Sequence, residues 1–418
     1  MFFLYQITIS ILLIFSPFII IYRILKNKED KIRFIEKFGV STKKRQSGNL
    51  IWFHGASVGE ILSVIPIIKY YEKKKLVHQI LITSSTLSSL KVLQKYNLKK
   101  TTHQFYPIDH IFFTNKFLNY WKPSVAIFID SEIWPSMFKR INKKNIPLTL
   151  LNARFNQRSI KRWLKVKNFT KKIFNNITKA YPQNLETEKF LKKINCTKIN
   201  FIGNLKFAQS FQNSQIKIEK NLKEQFRNKK IWVASSTHEN EEIICAKAHI
   251  EIKKKIKNLI TIIIPRHIHR AHEIAKKIKN LNLKVSLVSN KEKNIKNVDI
   301  FLIDSFGETE KFYKISPTVF MGKSLPNASV GGQNPIEPAR CGAKILHGPF
   351  TDNFKDVYKL FRKLNISKIV TNPKNLAASI TFKREQNIRK KINKIGRKIL
   401  KETIKELDNL IINEIKKT

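Results

Sequence analysis

Acidic residues are scarce in this chain. Of 418 residues, 30 are Asp or Glu against 80 Lys or Arg, a formal net charge of +50. Such an imbalance attracts polyanions: nucleic acid, an anionic membrane surface or phosphorylated substrates. Lys, Asn and Ile are abundant and Gly numbers only 12, which is also the mark of a genome biased toward A and T, so composition bias and function both stand as sources of the charge. Nucleic acid is not supported as a partner, because zinc-finger spacing and aromatic ribonucleoprotein motifs are both missing. Cysteine is rarer still. Cys196, Cys245 and Cys341 lie far apart with no CxxC pair, which excludes a disulfide framework and a cysteine metal site and fits a reducing compartment. There is no Walker A sequence, no GxGxxG, no Asp-x-Asp, no convincing Ser-His-Asp arrangement and no repeat of solenoid length.

The first 22 residues, Met1 to Tyr22, lack any charged side chain. As a helix rising about 1.5 Å per residue they are long enough to cross a bilayer core. No Lys or Arg precedes Ile7, and the exit Tyr22-Arg23-Ile24-Leu25-Lys26 offers no small-residue cleavage site, so residues 1–22 read as an uncleaved anchor, not a signal peptide. Gln6, Thr8, Ser10 and Pro17 interrupt the apolar run and leave an interfacial helix open beside a span. Arg23, Lys26, Lys28, Lys31 and Arg33 follow directly, and by the positive-inside rule they place the body in the cytoplasm, on an inner (plasma) membrane.

Beyond the anchor, short apolar runs alternate with helical periods, as in parallel βαβ units. Strands are expected at 49–54, 79–83, 125–129 and 147–151, with helices at 60–74 and 87–95. The rhythm restarts with strands at 231–235, 259–264, 284–288, 298–303, 318–321 and 344–346, after a polar stretch around 208–215. The fold class is therefore α/β: two Rossmann-like, doubly wound domains, 30–205 and 216–383, with a cleft between them and ligands beyond the carboxyl ends of the strands. Residues 384–418 form a Lys-rich pattern with apolar positions Ile388, Ile392, Ile395, Ile399, Ile404 and Leu407, an amphipathic helix packing back on the body.

Several strand-to-helix junctions could carry chemistry. His54-Gly55-Ala56-Ser57-Val58-Gly59-Glu60 joins a small-residue loop to a helix start, where Glu60 serves either as a proton acceptor or only to complement the helix dipole. Asp130-Ser131-Glu132-Ile133-Trp134-Pro135 follows a strand. Its carboxylates suit charge stabilisation or acceptor positioning, or merely cap the helix that Pro135 opens. Lys206, in Gly203-Asn204-Leu205-Lys206-Phe207, could neutralise a phosphate or a developing charge. Ser235, Ser236 and Thr237 suit helix capping or anion binding. Arg266 ends a strand and suits bidentate phosphate recognition, whereas His267, His269 and His272 have no Asp or Cys near them to complete a metal site. Asp304-Ser305-Phe306-Gly307-Glu308 turns from strand to helix, and Gly331-Gly332-Gln333-Asn334-Pro335-Ile336-Glu337-Pro338 opens another helix with groups fit for a ribose or base.

Taken in order, these segments resemble the Kdo transferases of lipid A assembly, a family with the two-domain GT-B fold. The resemblance runs from the anchor to about Asp356. It rests on residues 54–60, 130–135, 151–154, 203–207, 236–239, 265–267, 307–308, 331–338 and 348–356. It implies transfer of Kdo from CMP-Kdo to the lipid A precursor (lipid IVA), with inversion and with no metal or other cofactor. By the same resemblance Glu60 is the general base, and Asp130 and Lys206 stabilise the transition state. Pro265, Arg266, Phe306, Gly307, Glu308, Asn334, Pro335, Ile336 and Glu337 bind CMP, while Ser57, Gly59, Glu132 and Arg154 line the acceptor side. Three positions depart from the family pattern. Asp130 stands where Glu is usual, Phe306 where Met is frequent, and Gln333 where His is frequent. The shorter Asp130 leaves two readings: it serves after a small backbone shift, or Glu132 carries more of the work.

Overall fold

The computed structural model describes residues 1–196, 198–209, 219–289, 297–305, 307, 309–325 and 331–415. Among the residues expected at a site, Phe306 and Glu308 lie outside these, as do residues 210–215 of the polar stretch. The chain divides into two compact units, Met1–Ser210 with Gly396–Thr418, and Phe211–Ile395. The long helix Gln386–Ile415 therefore starts in the second unit and ends in the first.

The first unit is built on six parallel strands: β1 Leu50–His54, β2 Gln79–Ser84, β3 Thr101–Phe105, β4 Val125–Ile129, β5 Leu148–Ala153 and β6 Lys179–Pro182. Their order is β3-β2-β1-β4-β5-β6. β1 is central, with Ile51 opposite Ile80 on one side and Val125 on the other. Every residue of β1, β4 and β5 is buried, as expected where helices cover both faces of a parallel sheet. Aromatic rings fill one face, with Trp52 packed on Phe117 and Phe128. The end of the long C-terminal helix closes against this unit. Tyr70 donates to Asp408 at 2.6 Å, Lys179 pairs with Glu406, and Gly396 passes beneath the Phe207 carbonyl, where a Cβ would come within 2.2 Å of the oxygen.

The second unit repeats the plan with seven parallel strands: β7 Lys230–Thr237, β8 Leu259–Pro265, β9 Val285–Leu287, β10 Ile300–Leu302, β11 Thr318–Met321, β12 Lys344–His347 and β13 Ser367–Ile369. Their order is β13-β12-β11-β7-β8-β10-β9. Both sheets are α/β and parallel, in two Rossmann-like units of GT-B type. In each, the strand order reverses beside the unit's first strand, between β1 and β4 and between β7 and β11. Loops diverge there, and doubly wound sheets place ligands at that opening.

Three strands went unforeseen: β3, β6 and β13. All three lie at sheet edges. One side of an edge strand is uncovered, so Thr-Thr-His-Gln-Phe, Lys-Ala-Tyr-Pro and Ser-Lys-Ile carry no apolar run to announce them. The N-terminal helix spans Phe2–Leu25, three residues past Tyr22.

Candidate active site

In the first unit the carboxyl ends of β1 and β4 bring Glu60, Asp130 and Glu132 to the switch point, and the turn Leu205–Phe207, which follows β6 and is bonded to Asn152 of β5, brings Lys206. After β1 the chain turns at Gly55, where a Cβ would meet the Glu60 Cβ at 3.0 Å, so glycine here lets Glu60 fold back over the turn. The helix Val58–Tyr71 then starts on a complete capping box, with Ser57 accepting from the Glu60 amide and Glu60 returning to the loop. Glu60 Oε2 accepts from the Ala56 amide at 2.7 Å, and Oε1 from the Ser57 hydroxyl at 2.7 Å. Partial burial, together with the charges of Asp130 and Glu132, outweighs these bonds and pushes the Glu60 carboxyl up to about 7. It caps the helix and is also poised to exchange a proton near neutrality. Gly59 is exposed, with open space where a side chain would stand.

Asp130 follows β4 in a left-handed conformation, φ 56°. It does not cap the helix Pro135–Lys143, although Pro135 invited that reading. That task falls to Asp109, which accepts from the amides of Ser136 and Met137, each at 2.8 Å. Freed from capping, Asp130 accepts from the Asn152 side-chain amide and lies 3.7 Å from the Lys206 ammonium. Asn152 is left-handed too, φ 56°, and its side-chain oxygen accepts from the Leu205 amide at 2.9 Å. One side chain thereby fixes the Asp130 carboxylate and the turn that presents Lys206. The Arg154 amide donates to the Asp130 carbonyl at 3.2 Å.

Glu132 is held elsewhere. Its Oε2 accepts from the Trp134 indole at 3.0 Å and lies 3.2 Å from His54 Nε2. His54 is fully buried and its proton affinity is lowered by that burial, so a neutral ring donating from Nε2 satisfies the pair. Thr83 meets the other ring nitrogen at 2.9 Å. Both Glu132 partners are thus structural, and Asp130, not Glu132, is the carboxylate that pairs with Lys206.

The second unit assembles a different site. Glu241, buried at the start of the helix Glu241–Lys253, gathers four backbone amides. His238 and Lys323 donate to Oε2 at 2.9 and 2.7 Å, and Ser324 and Leu325 to Oε1 at 2.9 and 3.1 Å. Ser235, Ser236 and Thr237 do not cap this helix. They belong to β7 or its left-handed exit, and the N-cap Asn240 makes no side-chain cap bond. Glu241 locks the loops after β7 and β11 together. Gly322 makes this approach possible, and Gly348, after β12, lets a third loop close on Ser324, since a Cβ on either would fall within 2.4 Å of a backbone oxygen. Beside this locked pair, Pro265 ends β8 and Arg266 follows, exposed, its amide donating to the Thr237 carbonyl at 3.0 Å. Gly307 is exposed with φ 83°. Asn334 accepts from the Ile336 amide at 3.1 Å and opens the short helix Ile336–Arg340, which carries Glu337, with Pro335 buried ahead of it.

Sequence reasoning did not single out Asn152, His54, Asp109 or Glu241. Asn152 and His54 stood inside motifs noted as stretches, and Glu241 had the signal of an acid in a first helical turn. Asp109 had none, because its partners lie 27 and 28 residues away.

Comparison with known proteins gives the family. Residues 32–209 match the family model described as 3-deoxy-D-manno-octulosonic-acid transferase (kdotransferase). The 3-deoxy-D-manno-octulosonic acid transferase of Rickettsia bellii is 33% identical over 356 residues, 84% of this chain and 83% of that protein. Among solved structures, a UDP-GlcNAc 2-epimerase from Neisseria meningitidis aligns with a TM-score of 0.59 at 16% identity, covering 89% of this chain and 100% of that one. A glycosyltransferase from Rickettsia africae aligns with a TM-score of 0.55 at 14% identity, covering 89% and 100%. These two likenesses concern the fold. The sequence relationship, over most of both chains, settles the family: this chain belongs to the 3-deoxy-D-manno-octulosonic acid (Kdo) transferases, which are glycosyltransferases.

Proposed function

We propose that the protein transfers Kdo from CMP-Kdo to a sugar hydroxyl of the lipid A precursor by a single, inverting displacement, with Glu60 as general base and without a metal or other cofactor. The acceptor oxygen bonds to the anomeric carbon of Kdo as the bond from that carbon to the CMP phosphate oxygen breaks. The electron pair leaves with CMP, and the hydroxyl proton passes to Glu60. Lys206, steadied by Asp130, is the cation that offsets the developing negative charge. In the second unit, Arg266 and the 334–337 turn are the groups suited to the CMP phosphate and nucleoside. Phe306, Gly307 and Glu308 complete this set by resemblance. Ser57, Gly59 and Arg154 lie on the acceptor side of the first unit. A phosphorylated lipid acceptor calls for a membrane-associated enzyme, and the apolar helix Phe2–Leu25 is in keeping with that association; the body is proposed to face the cytoplasm.

The observation that carries this reading is Glu60: a carboxylate at the switch point of the first sheet, with its proton affinity raised to about 7 beside the Asp130–Lys206 pair. The test is a transfer assay. Membranes carrying the protein are mixed with Kdo, CTP, a CMP-Kdo-forming enzyme and tetraacylated lipid A precursor, and lipid products are read by mass. A gain of Kdo units that is lost in Glu60→Ala supports substrate, reaction and base together. No gain from folded protein beside a working control overturns the substrate pair. Protection of the protein by UDP or GDP but not CMP would move the donor to another nucleotide.

A further inference from the structure

We infer that the helix Phe2–Leu25 lies in the plane of the membrane interface along the flank of the first unit, and does not cross the bilayer. The inference rests on the membrane association proposed above and specifies its geometry. A helix of 24 residues is about 36 Å long, enough to span a core of about 30 Å. A spanning helix would carry its first turn to the far face of that core, away from the body.

The contacts of this helix oppose that. Tyr5, Ile9, Leu13, Ser16, Ile20 and Ile24 are partly or fully covered, a stripe stepping by three or four from the first turn to the last. Both ends are also fastened by polar bonds. At the start, the Tyr5 hydroxyl donates to Asp109 at 2.7 Å, the Gln6 amide donates to the Ser136 hydroxyl at 2.6 Å, and the Ile111 amide donates to Gln6 at 3.2 Å. At the far end, Arg23 pairs at 3.0 Å with the buried Glu29, which also pairs with Lys37. The Lys37 carbonyl in turn accepts from the Ile108 amide at 2.8 Å. Ile108 and Asp109 are consecutive, so both ends of the helix are tied to one loop of one body. That loop cannot stand at both faces of a bilayer.

The outward face calls for lipid. Phe3, Ile14, Phe18 and Leu25 are each at least 70% exposed, and Phe112, next to the Gln6-bonded Ile111, is 64% exposed. An interfacial helix usually carries its own polar face, and here the body supplies it. A cation stands at each end of the apolar strip: Lys139 lies 4.2 Å from the Phe2 ring centre and Lys26 lies 6.0 Å from that of Tyr22. Lysines at both ends of one strip match the anionic headgroups of a single leaflet, with their stems in the acyl boundary. The occupant is therefore the surface of an anionic phospholipid bilayer.

The experiment uses the full chain with an epitope ahead of Met1, in sealed membrane vesicles of each orientation. The expected result is that protease removes the epitope and digests the body from the same face. An epitope reached only from the face opposite the body overturns the inference. So does failure to sediment with the vesicles, which also removes the membrane placement but leaves Kdo transfer in detergent intact. A second measurement uses vesicles of phosphatidylglycerol. The double variant Lys26→Glu, Lys139→Glu should bind them at least about thirty-fold more weakly. Unchanged, salt-insensitive retention would mean that the helix is inserted across the bilayer.

Discussion

The two units share one topology and put opposite chemistry at the same place. At the switch point of the first sheet, in a chain of net charge +50, three carboxylates gather in Glu60, Asp130 and Glu132, with Lys206 as their counter-charge. At the switch point of the second, the carboxylate Glu241 is consumed by four backbone amides, and what it leaves to solvent is a locked loop pair beside an exposed Arg266. On the proposed reading one end accepts a proton and the other holds an anion. The strand order dictates where a site opens, and the first residues past each strand decide what it does.

The largest break in that comparison should come from Glu60→Gln. Gln keeps the capping-box pattern, so the fold stays, while transfer falls about a thousand-fold and protection by CMP is unchanged. Loss of CMP protection would place Glu60 in donor binding instead. Lys206→Met should lower transfer about a hundred-fold with little change in KM, because it removes a charge used only as the reaction proceeds. A rise in KM alone would make Lys206 an acceptor contact. Glu241→Gln leaves one acceptor oxygen for four amides and should cost about 2 kcal/mol in urea unfolding and weaken CMP binding about ten-fold. If CMP binding held while stability fell, the loop lock would have no part in the donor site.

The smallest effect concerns pH. The folded Glu60 holds its proton up to about 7, above the ordinary carboxylate range, so its contribution to stability is full below about pH 4.5 and is lost as pH rises through about 7. Asp109, pushed up to about 6 by burial, acts in the same direction. Glu60→Gln should therefore gain about 2 kcal/mol over the parent at pH 8 and nothing at pH 4, read by denaturant unfolding at both. Transfer by the parent should rise through about pH 7 and then level. A rate that falls through that range would assign Glu60 the acid role.

The central strands were legible because both faces of a parallel sheet need apolar residues, as in Val125–Ile129 and Thr318–Met321. Three of the four edge strands, Thr101–Phe105 among them, were not, because their polar residues break the apolar run that marks a central strand. Of the candidate site, residues that stand in a strand-to-helix junction could be read, Glu60 among them. Asn152 could not, because its role depends on Asp130 and Leu205, 22 and 53 residues away. Of the two readings open at the Asp130 and Ser235–Thr237 junctions, capping is the one the fold does not use. Local pattern suggested Asp130 and the Ser235–Thr237 run, whereas the fold brought in Asp109 from a distant loop and used Glu241 to join two loops.

With the donor in the second unit, as proposed, Glu241 sets a condition on altering it. With one carboxylate serving the exits of both β7 and β11, and Gly322 seated against Ser236, the two loops are a single interchangeable part. A loop borrowed from a relative with another nucleotide preference will fit only if its counterpart across Glu241 is brought with it. Recombination within this family should accordingly cut outside 236–350 and inherit that block whole, because Ser324 is bonded in turn to Gly348 and Phe350.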